Sequence, residues 1–216
     1  MAGTSIWRWV LLRIARSPGA WLVGLALLGI APLLQSLTPL SSPEPGVGSA
    51  LPWFLPAGWI GATLGLAILS EGEEFLRRLP ASTRWGGELG ALFLSGAIMQ
   101  LPIVAGALLA GTQSVDLLSA LPGILAFDLQ LASVALLSLL LPLSSAVRAL
   151  LLASVIWFVP SLLASASAPV RAFASFARAG ESRVALLSIA PTLALCLAGY
   201  LLRTRESSST LRPLDS

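Results

Sequence analysis

The sequence predicts an all-α, polytopic membrane protein with about six transmembrane helices, an N-terminal interfacial amphipathic helix and a short cytoplasmic helix. Of its 216 residues, 56% are hydrophobic and 11% are charged, and the mean hydropathy is +0.88. Soluble domains carry about 25% charged residues, because a folded surface needs polar atoms facing water. Apolar runs of about 20 residues, each long enough to cross a bilayer, recur along the chain.

The residue types that are missing exclude several classes of chemistry. The chain has no His, a single Cys (Cys196), and only Arg among its 13 basic residues. The absence of His excludes Ser-His and Cys-His catalysis and His-ligated metals or haem, and a single Cys excludes an intrachain disulfide and a Cys cluster for zinc or iron–sulfur. Without Lys, neither the nucleotide-binding P-loop nor a Schiff base can form. The sequence therefore predicts no catalytic residue, metal or cofactor in this chain, which is not expected to be an enzyme by itself.

Residues 1–18 are predicted to form the interfacial helix. Arg8, Arg13 and Arg16 fall within one arc of about 140° on a helical wheel, mostly opposite the apolar residues. Such a helix lies in the membrane surface with its basic face towards lipid headgroups. A plain extension of the first span, with the Arg side chains reaching the headgroups, is the alternative. The breaker sequence Ser17-Pro18-Gly19 ends the helix.

The transmembrane domain is predicted over 19–202, with a cytoplasmic tail at 203–216. Its spans are expected at 20–40, 51–70, 89–110, 124–142, 147–164 and 184–202.

The distribution of Arg orients these spans. Ten Arg residues fall on one side of the predicted membrane and three on the other, Arg171, Arg178 and Arg183. Because positive residues accumulate on the cytoplasmic side, both termini are predicted in the cytoplasm of a multi-pass cell (inner) membrane protein. A net charge of +3 located at span ends does not indicate a nucleic-acid partner.

The segment 71–88 is the polar connection between the second and third spans. Glu73–Arg77 and Glu74–Arg78 are i,i+4 pairs in the favourable order for a helix. Phe75, Leu76 and Leu79 form an apolar stripe, Pro80 stops the helix, and a turn is expected at 81–83. Either this is a solvated charged loop that follows the positive-inside rule, or it is a docking surface for a cytoplasmic partner.

The stretch "SEGEEFLRRLPASTRWGGELGALF" resembles the corresponding segment of permease subunits of type-2 ATP-binding-cassette exporters. The shared features are the leading Glu, part of a Leu-x-x-Leu-Pro spacing, Ser/Thr-Arg and a glycine-rich entry to the next span. Glu73-Glu74 replace the family's Gly-Thr, and Glu88 stands near its Lys. The chain length is similar to that of the compact haem-export permeases of this superfamily.

The resemblance implies a permease that exports an amphipathic or lipid-like substrate. It implies as partners a second permease, identical or paralogous, membrane lipid, and a separate cytoplasmic ATPase that binds ATP and Mg. The coupling residues would be Glu71, Glu73, Glu74, Phe75, Arg77, Arg78, Leu79 and Arg84. The alternative function is a non-transporting membrane anchor or assembly subunit for a cytoplasmic partner.

Polar residues inside the predicted spans are candidates for a translocation path. Asp128 and Gln130 fall in the fourth span, where Asp128 is expected to be anchored in the interface about one turn from the outer end. Gln100 lies beside Pro102 in the third span, and packing is its simpler role. In the permeases that this chain resembles, short helices between the fifth and sixth spans dip into the outer leaflet and help gate the exit. The resemblance implies this role for the segment 165–183, with Phe173 and Phe176 in the outer gate. The alternative is a membrane-surface helix without a gating role.

Overall fold

Six helices form most of the part of the chain that the computed structural model describes. The described residues are 3–37, 51–109, 114–141, 143–144, 147–153, 194, 196–202 and 204–205, and none of them forms a strand. The predicted all-α class is confirmed over these residues. The helices are α1 (Gly3–Arg16), α2 (Pro18–Leu37), α3 (Leu51–Glu71), α4 (Glu73–Arg77), α5 (Ala81–Leu109) and α6 (Ser114–Leu139). Residues 147–153 and 196–202 are also helical.

A sharp corner separates α1 from α2. The two helices are bent by 77° at Ser17, so α1 is not a straight extension of the first span. The Ser17 hydroxyl accepts a hydrogen bond from the Ala20 N–H at 3.4 Å, and Pro18 follows at the first helical position. Ser at the N-cap and Pro at the next position are favoured helix starts. Trp21 closes the corner by donating its indole N–H to the Ala15 carbonyl at 2.7 Å.

The amphipathic character of α1 is present in the structure. Ile6, Val10 and Ile14, spaced at four residues, are buried. Arg8, Arg13 and Arg16 are exposed.

Helix α5 is the central helix and packs against α1, α2, α3 and α6. Small residues allow its closest approaches. A Cβ at Gly61 of α3 would overlap the Ser95 carbonyl, and a Cβ at Gly65 would lie 2.8 Å from the Ser95 hydroxyl. A Cβ at Gly106 would overlap the Leu28 carbonyl of α2. The Gly61-xxx-Gly65 pattern therefore marks a helix contact, because glycine lets two backbones meet.

By length and composition, one helix among the described residues clearly qualifies as a membrane span, namely α5. Taken as one bent element, the described parts of α1 and α2 qualify as a second.

Several predicted boundaries are wrong. The expected turn at 81–83 is the first turn of α5, and the chain reverses instead at 78–80. The stretch 114–123, which lies between the predicted third and fourth spans, is helical, because α6 begins at Ser114. The polar residues of these two stretches do not end a helix. A long apolar run follows each stretch, and helix formation along that run is cooperative. The predictions for 165–183, for most of the fifth and sixth spans, and for the tail apart from 204–205 lie outside the described residues.

Candidate functional site

Helix α4 is a single short helix held between the ends of α3 and α5. It spans Glu73–Arg77 and follows Gly72, which ends the last turn of α3. After Arg77 the hydrogen bonds join residues three apart, as in a tighter helical turn. The Arg78 N–H donates to the Phe75 carbonyl, and the Leu79 N–H donates to the Leu76 carbonyl. The Pro80 carbonyl then accepts a hydrogen bond from the Arg84 N–H in the first turn of α5. The predicted short helix is therefore present and ends before Pro80.

The sequence predicted that the apolar residues of α4 form one stripe, but the structure does not show such a stripe. Leu76 is buried at 1% exposure, and Leu79 packs against the same core. Phe75 points the other way and is 63% exposed. One apolar residue therefore anchors α4 to the bundle, while an aromatic residue is presented outside it.

One of the two predicted ion pairs in α4 forms. Arg77 Nη2 donates to Glu73 Oε1 at 2.9 Å. Glu74 and Arg78 are both exposed and form no ion pair with each other, because the helix ends at Arg77 and leaves Arg78 at its C-cap. The hydrogen bond from Arg77, helped by the charges of Arg77, Arg84 and Arg148 and opposed by partial burial, lowers the pKa of Glu73 from its ordinary value. The stabilisation of the folded state by the Glu73–Arg77 pair is present at neutral pH. It is lost as the pH falls through the lowered folded-state pKa of Glu73.

Helix α1 supports α4 from one side. The Trp9 ring lies against Gly72, where a Cβ would come within 2.6 Å of its Cη2 atom. Arg13 pairs with Glu71 at 3.2 Å, and its guanidinium carbon lies 5.7 Å from the centre of the Trp9 ring. Sequence reasoning did not single out Trp9, although the glycine between Glu71 and Glu73 was a signal for a close approach.

Arg84 does not belong to the exposed face of this segment. Its Nε donates to Glu88 Oε1 at 2.8 Å, and the two side chains are 10% and 1% exposed. The i,i+4 spacing of this pair can be recognised in the sequence, but its burial cannot. Arg84 is therefore positioned to hold the start of α5 rather than to meet a partner directly.

Residues that are distant in sequence also lie near the starts of α4 and α5. Trp85 meets Tyr200 edge to face, with ring centroids 5.6 Å apart. Arg148 is one of the positive charges that lower the pKa of Glu73. The ring contact joins the start of α5 to a chain segment well separated in sequence.

A buried polar cluster lies elsewhere in the bundle, about 20 Å from α4 along the axis of α3. Gln100 Nε2 donates to Asp128 Oδ1 at 2.8 Å and to the Phe54 carbonyl at 3.2 Å. Gln100 and Asp128 are 4% and 2% exposed. Gly58 makes room for both, since a Cβ there would lie 2.8 Å from each. Asp128 Oδ2 is buried with no hydrogen-bond partner among the described residues.

The sequence predicted that Asp128 is anchored at the membrane interface. The structure differs in that the Asp128 side chain is enclosed by protein. The structure brings together Gln100 and Asp128, and no sequence pattern predicted that these two residues pair. Gln130 is also buried, at 5% exposure. Phe173 and Phe176 lie outside the described residues.

No protein-family model, curated protein or solved structure matches this chain. Its function is therefore inferred from the geometry of α4 and its surroundings.

The Gln100–Asp128 hydrogen bond gives a measurable stability effect. Replacing Gln100 with Leu should lower the free energy of unfolding by about 1–3 kcal/mol, because it removes the donor to a buried carboxyl. The double variant Q100L/D128L should recover most of that loss, since no polar group is then left without a partner. Chemical unfolding of the wild type, of the single variants Q100L and D128L, and of the double variant in detergent micelles measures the coupling. Additive losses would show that the two side chains do not interact.

Proposed function

We propose that this chain is a membrane-embedded permease subunit of an ATP-driven exporter of the ATP-binding-cassette type. In this proposal α4 is the element that binds a separate cytoplasmic ATPase. The observation that carries it is the two-sided character of α4, with Leu76 buried in the bundle and Phe75 exposed among charged residues.

The lengths of the helices support a membrane location. Helices α2, α3 and α6 contain 20, 21 and 26 residues, which at about 1.5 Å per residue reach or exceed the hydrocarbon thickness of about 30 Å. Helix α5 has 29 residues and is about 44 Å long. Its apolar part, 89–109, fits the bilayer core, and its first two turns then reach the headgroup region. Six spans with both termini in the cytoplasm complete the proposed topology.

The exposed face of α4 has the chemistry of a docking site. Phe75 offers an aromatic anchor of the kind that dominates interface energetics, and Glu74 and Arg78 beside it can orient a partner through charge. A short helix of this kind fits a groove on another protein, as in helix-in-groove recognition.

The surroundings of α4 suit the transmission of movement. Leu76 ties α4 to the core, and α3 and α5, which α4 joins, meet through Gly61 at backbone contact. A displacement of α4 would therefore move this helix pair as one body. ATP-driven closure of the partner would favour one of two permease states if α4 makes different contacts in each.

The transported substrate is proposed to be amphipathic or lipid-like, along a path between two permease copies or paralogues. The described part of the spans is largely apolar apart from small hydroxyl residues, the polar cluster at Gln100 and Asp128, and the glutamines Gln35 and Gln130. This composition suits a substrate with a long apolar portion.

The test uses the protein purified with its candidate ATPase, in lipid nanodiscs. The quadruple variant E73R/E74R/R77E/R78E inverts the charges of α4 but keeps opposite charges at 73 and 77. We expect the variant to fold and to lose the permease-dependent change in ATP hydrolysis. Phe75→Ser should weaken ATPase binding by about tenfold or more, the effect of losing an aromatic anchor.

Phe75→Leu is the matched control, because it keeps an apolar side chain on the same face and should retain most of the binding. If no ATPase copurifies, or if the inverted variant still alters ATP hydrolysis, α4 is not a coupling helix. If the ATPase binds through α4 but its activity never responds to the permease, the chain is a membrane anchor instead.

A further inference from the structure

The corner between α1 and α2 encloses a groove of about 570 Å³. Its walls come from α1, α2 and α5, and they are apolar except at one position. Trp7 and Trp21 stand on its two sides, and Pro102 of α5 lies in its wall. Ligand sites have volumes of about 300–1,000 Å³. The groove has room for about 19 methylene groups, if each takes up about the volume of a water molecule, about 30 Å³.

Arg8 is the one charged residue among the described residues that line the groove. It is exposed and forms no ion pair with any described residue. A long apolar groove with a single cation at its edge is complementary to an amphiphile with one chain and an anionic head. An arginine guanidinium binds phosphate oxygens with several donors at once.

The location of the groove selects the kind of amphiphile. In the proposed orientation α1 lies in the cytoplasmic interface and α2 crosses the bilayer, so the inside of their 77° corner faces the inner leaflet. A phospholipid of that leaflet would have its acyl chains at the level of α2 and its phosphate at the level of α1. Trp7 and Trp21 would lie at the boundary where tryptophan is enriched.

We propose that this groove binds one anionic phospholipid, with an acyl chain along α2 and α5 and the phosphate on Arg8. Bound there, the lipid would fill the space behind α1 and hold Trp9 and Arg13 against the α3–α4 junction. The inference rests on the membrane placement in the proposed function but not on the ATPase, so it is tested without any ATPase present.

The experiment is native mass spectrometry of the protein released from nanodiscs of equimolar phosphatidylcholine and phosphatidylglycerol. The wild-type chain should retain one phosphatidylglycerol in preference to phosphatidylcholine. Arg8→Gln should reduce that preference about fivefold, the effect of one basic residue near an anionic surface. Gly24→Leu should remove the retained lipid of either kind, because Gly24 lines the groove and its Cβ would meet only Pro102 at an ordinary 3.7 Å.

Two variants serve as matched controls. Arg16→Gln removes the same charge from α1 outside the groove, and Gly29→Leu adds the same side chain to α2 where a Cβ meets nothing within 4 Å. Both should retain lipid as the wild type does. Equal losses in Arg8→Gln and Arg16→Gln, or equal retention in Gly24→Leu and Gly29→Leu, would overturn the proposal. If Gly24→Leu changes the oligomeric state and leaves lipid retention intact, the groove is an interface with a second copy.

Discussion

Replacing Gly61 with Ala is expected to destabilise the protein by about 1–3 kcal/mol, the range for overpacking a well-packed contact. The added Cβ would overlap the Ser95 carbonyl and lie 2.7 Å from the Gly96 Cα atom. Both are backbone atoms, so no side-chain rotation can relieve the clash. The helices α3 and α5 must separate, and the hydrophobic contacts on either side of the crossing are lost with them. Gly61→Leu should have a larger effect for the same reason.

Gly90 provides the matched control for Gly61. It also lies within a helix, α5, but a Cβ there meets nothing within 4 Å. Gly90→Ala should be neutral or stabilising by up to about 1 kcal/mol, because alanine has less backbone freedom to lose. Unfolding midpoints in detergent micelles compare the two variants. If Gly61→Ala is as harmless as Gly90→Ala, α3 and α5 do not cross at this point.

Removing one partner of the Arg84–Glu88 pair is expected to lower the free energy of unfolding by about 3–5 kcal/mol. The two groups are buried, so Glu88→Ala leaves the Arg84 guanidinium without its 2.8 Å acceptor. The double variant R84M/E88L should recover most of that stability, because apolar residues of similar size often replace a buried pair at no net loss. The same chemical unfolding series measures both effects.

The exposed pair in α4 calibrates this prediction. Glu73 and Arg77 have the same i,i+4 spacing, but their side chains are 41% and 70% exposed. Arg77→Met should change the unfolding free energy by about 0.5 kcal/mol or less. Similar effects at the two pairs would contradict the burial of Arg84 and Glu88. Failure of R84M/E88L to recover stability would show that the pair holds α5 through contacts that apolar residues cannot replace.

Periodicity and breakers predicted several elements correctly because the forces involved are local. Helix α1 ends at Arg16, directly before the Ser17-Pro18 start of α2, and α4 ends before Pro80. A capping hydroxyl and the fixed φ of proline act within a few residues, so they can be recognised in the sequence. The turn expected at 81–83 is wrong for a different reason. Ala, Ser and Thr can adopt either a turn or a helical conformation. Because a long apolar helical run follows them, the helix begins at Ala81.

The candidate docking site could be located from the sequence, but its faces could not. The alternation of charged and apolar residues identified 71–88. It did not separate Phe75, which is exposed, from Leu76, which is buried, because a five-residue helix is too short to show a clear apolar period. The inward position of Arg84 and the contact of Trp9 with Gly72 depend on helices that are distant in sequence. The same holds for Gln100 and Asp128, which are 28 residues apart.

The sequence by itself determined the helical class of the described residues, the apolar runs within their helices, and the absence of His and Lys from the chain. Those properties follow from composition and from patterns within about 20 residues. Only the tertiary structure decided which polar residues are enclosed, where glycine lets α3, α5 and α2 meet, and where the α1–α2 corner leaves a groove. The physical reason is that burial and close packing are properties of several helices together, and no single helix encodes its neighbours.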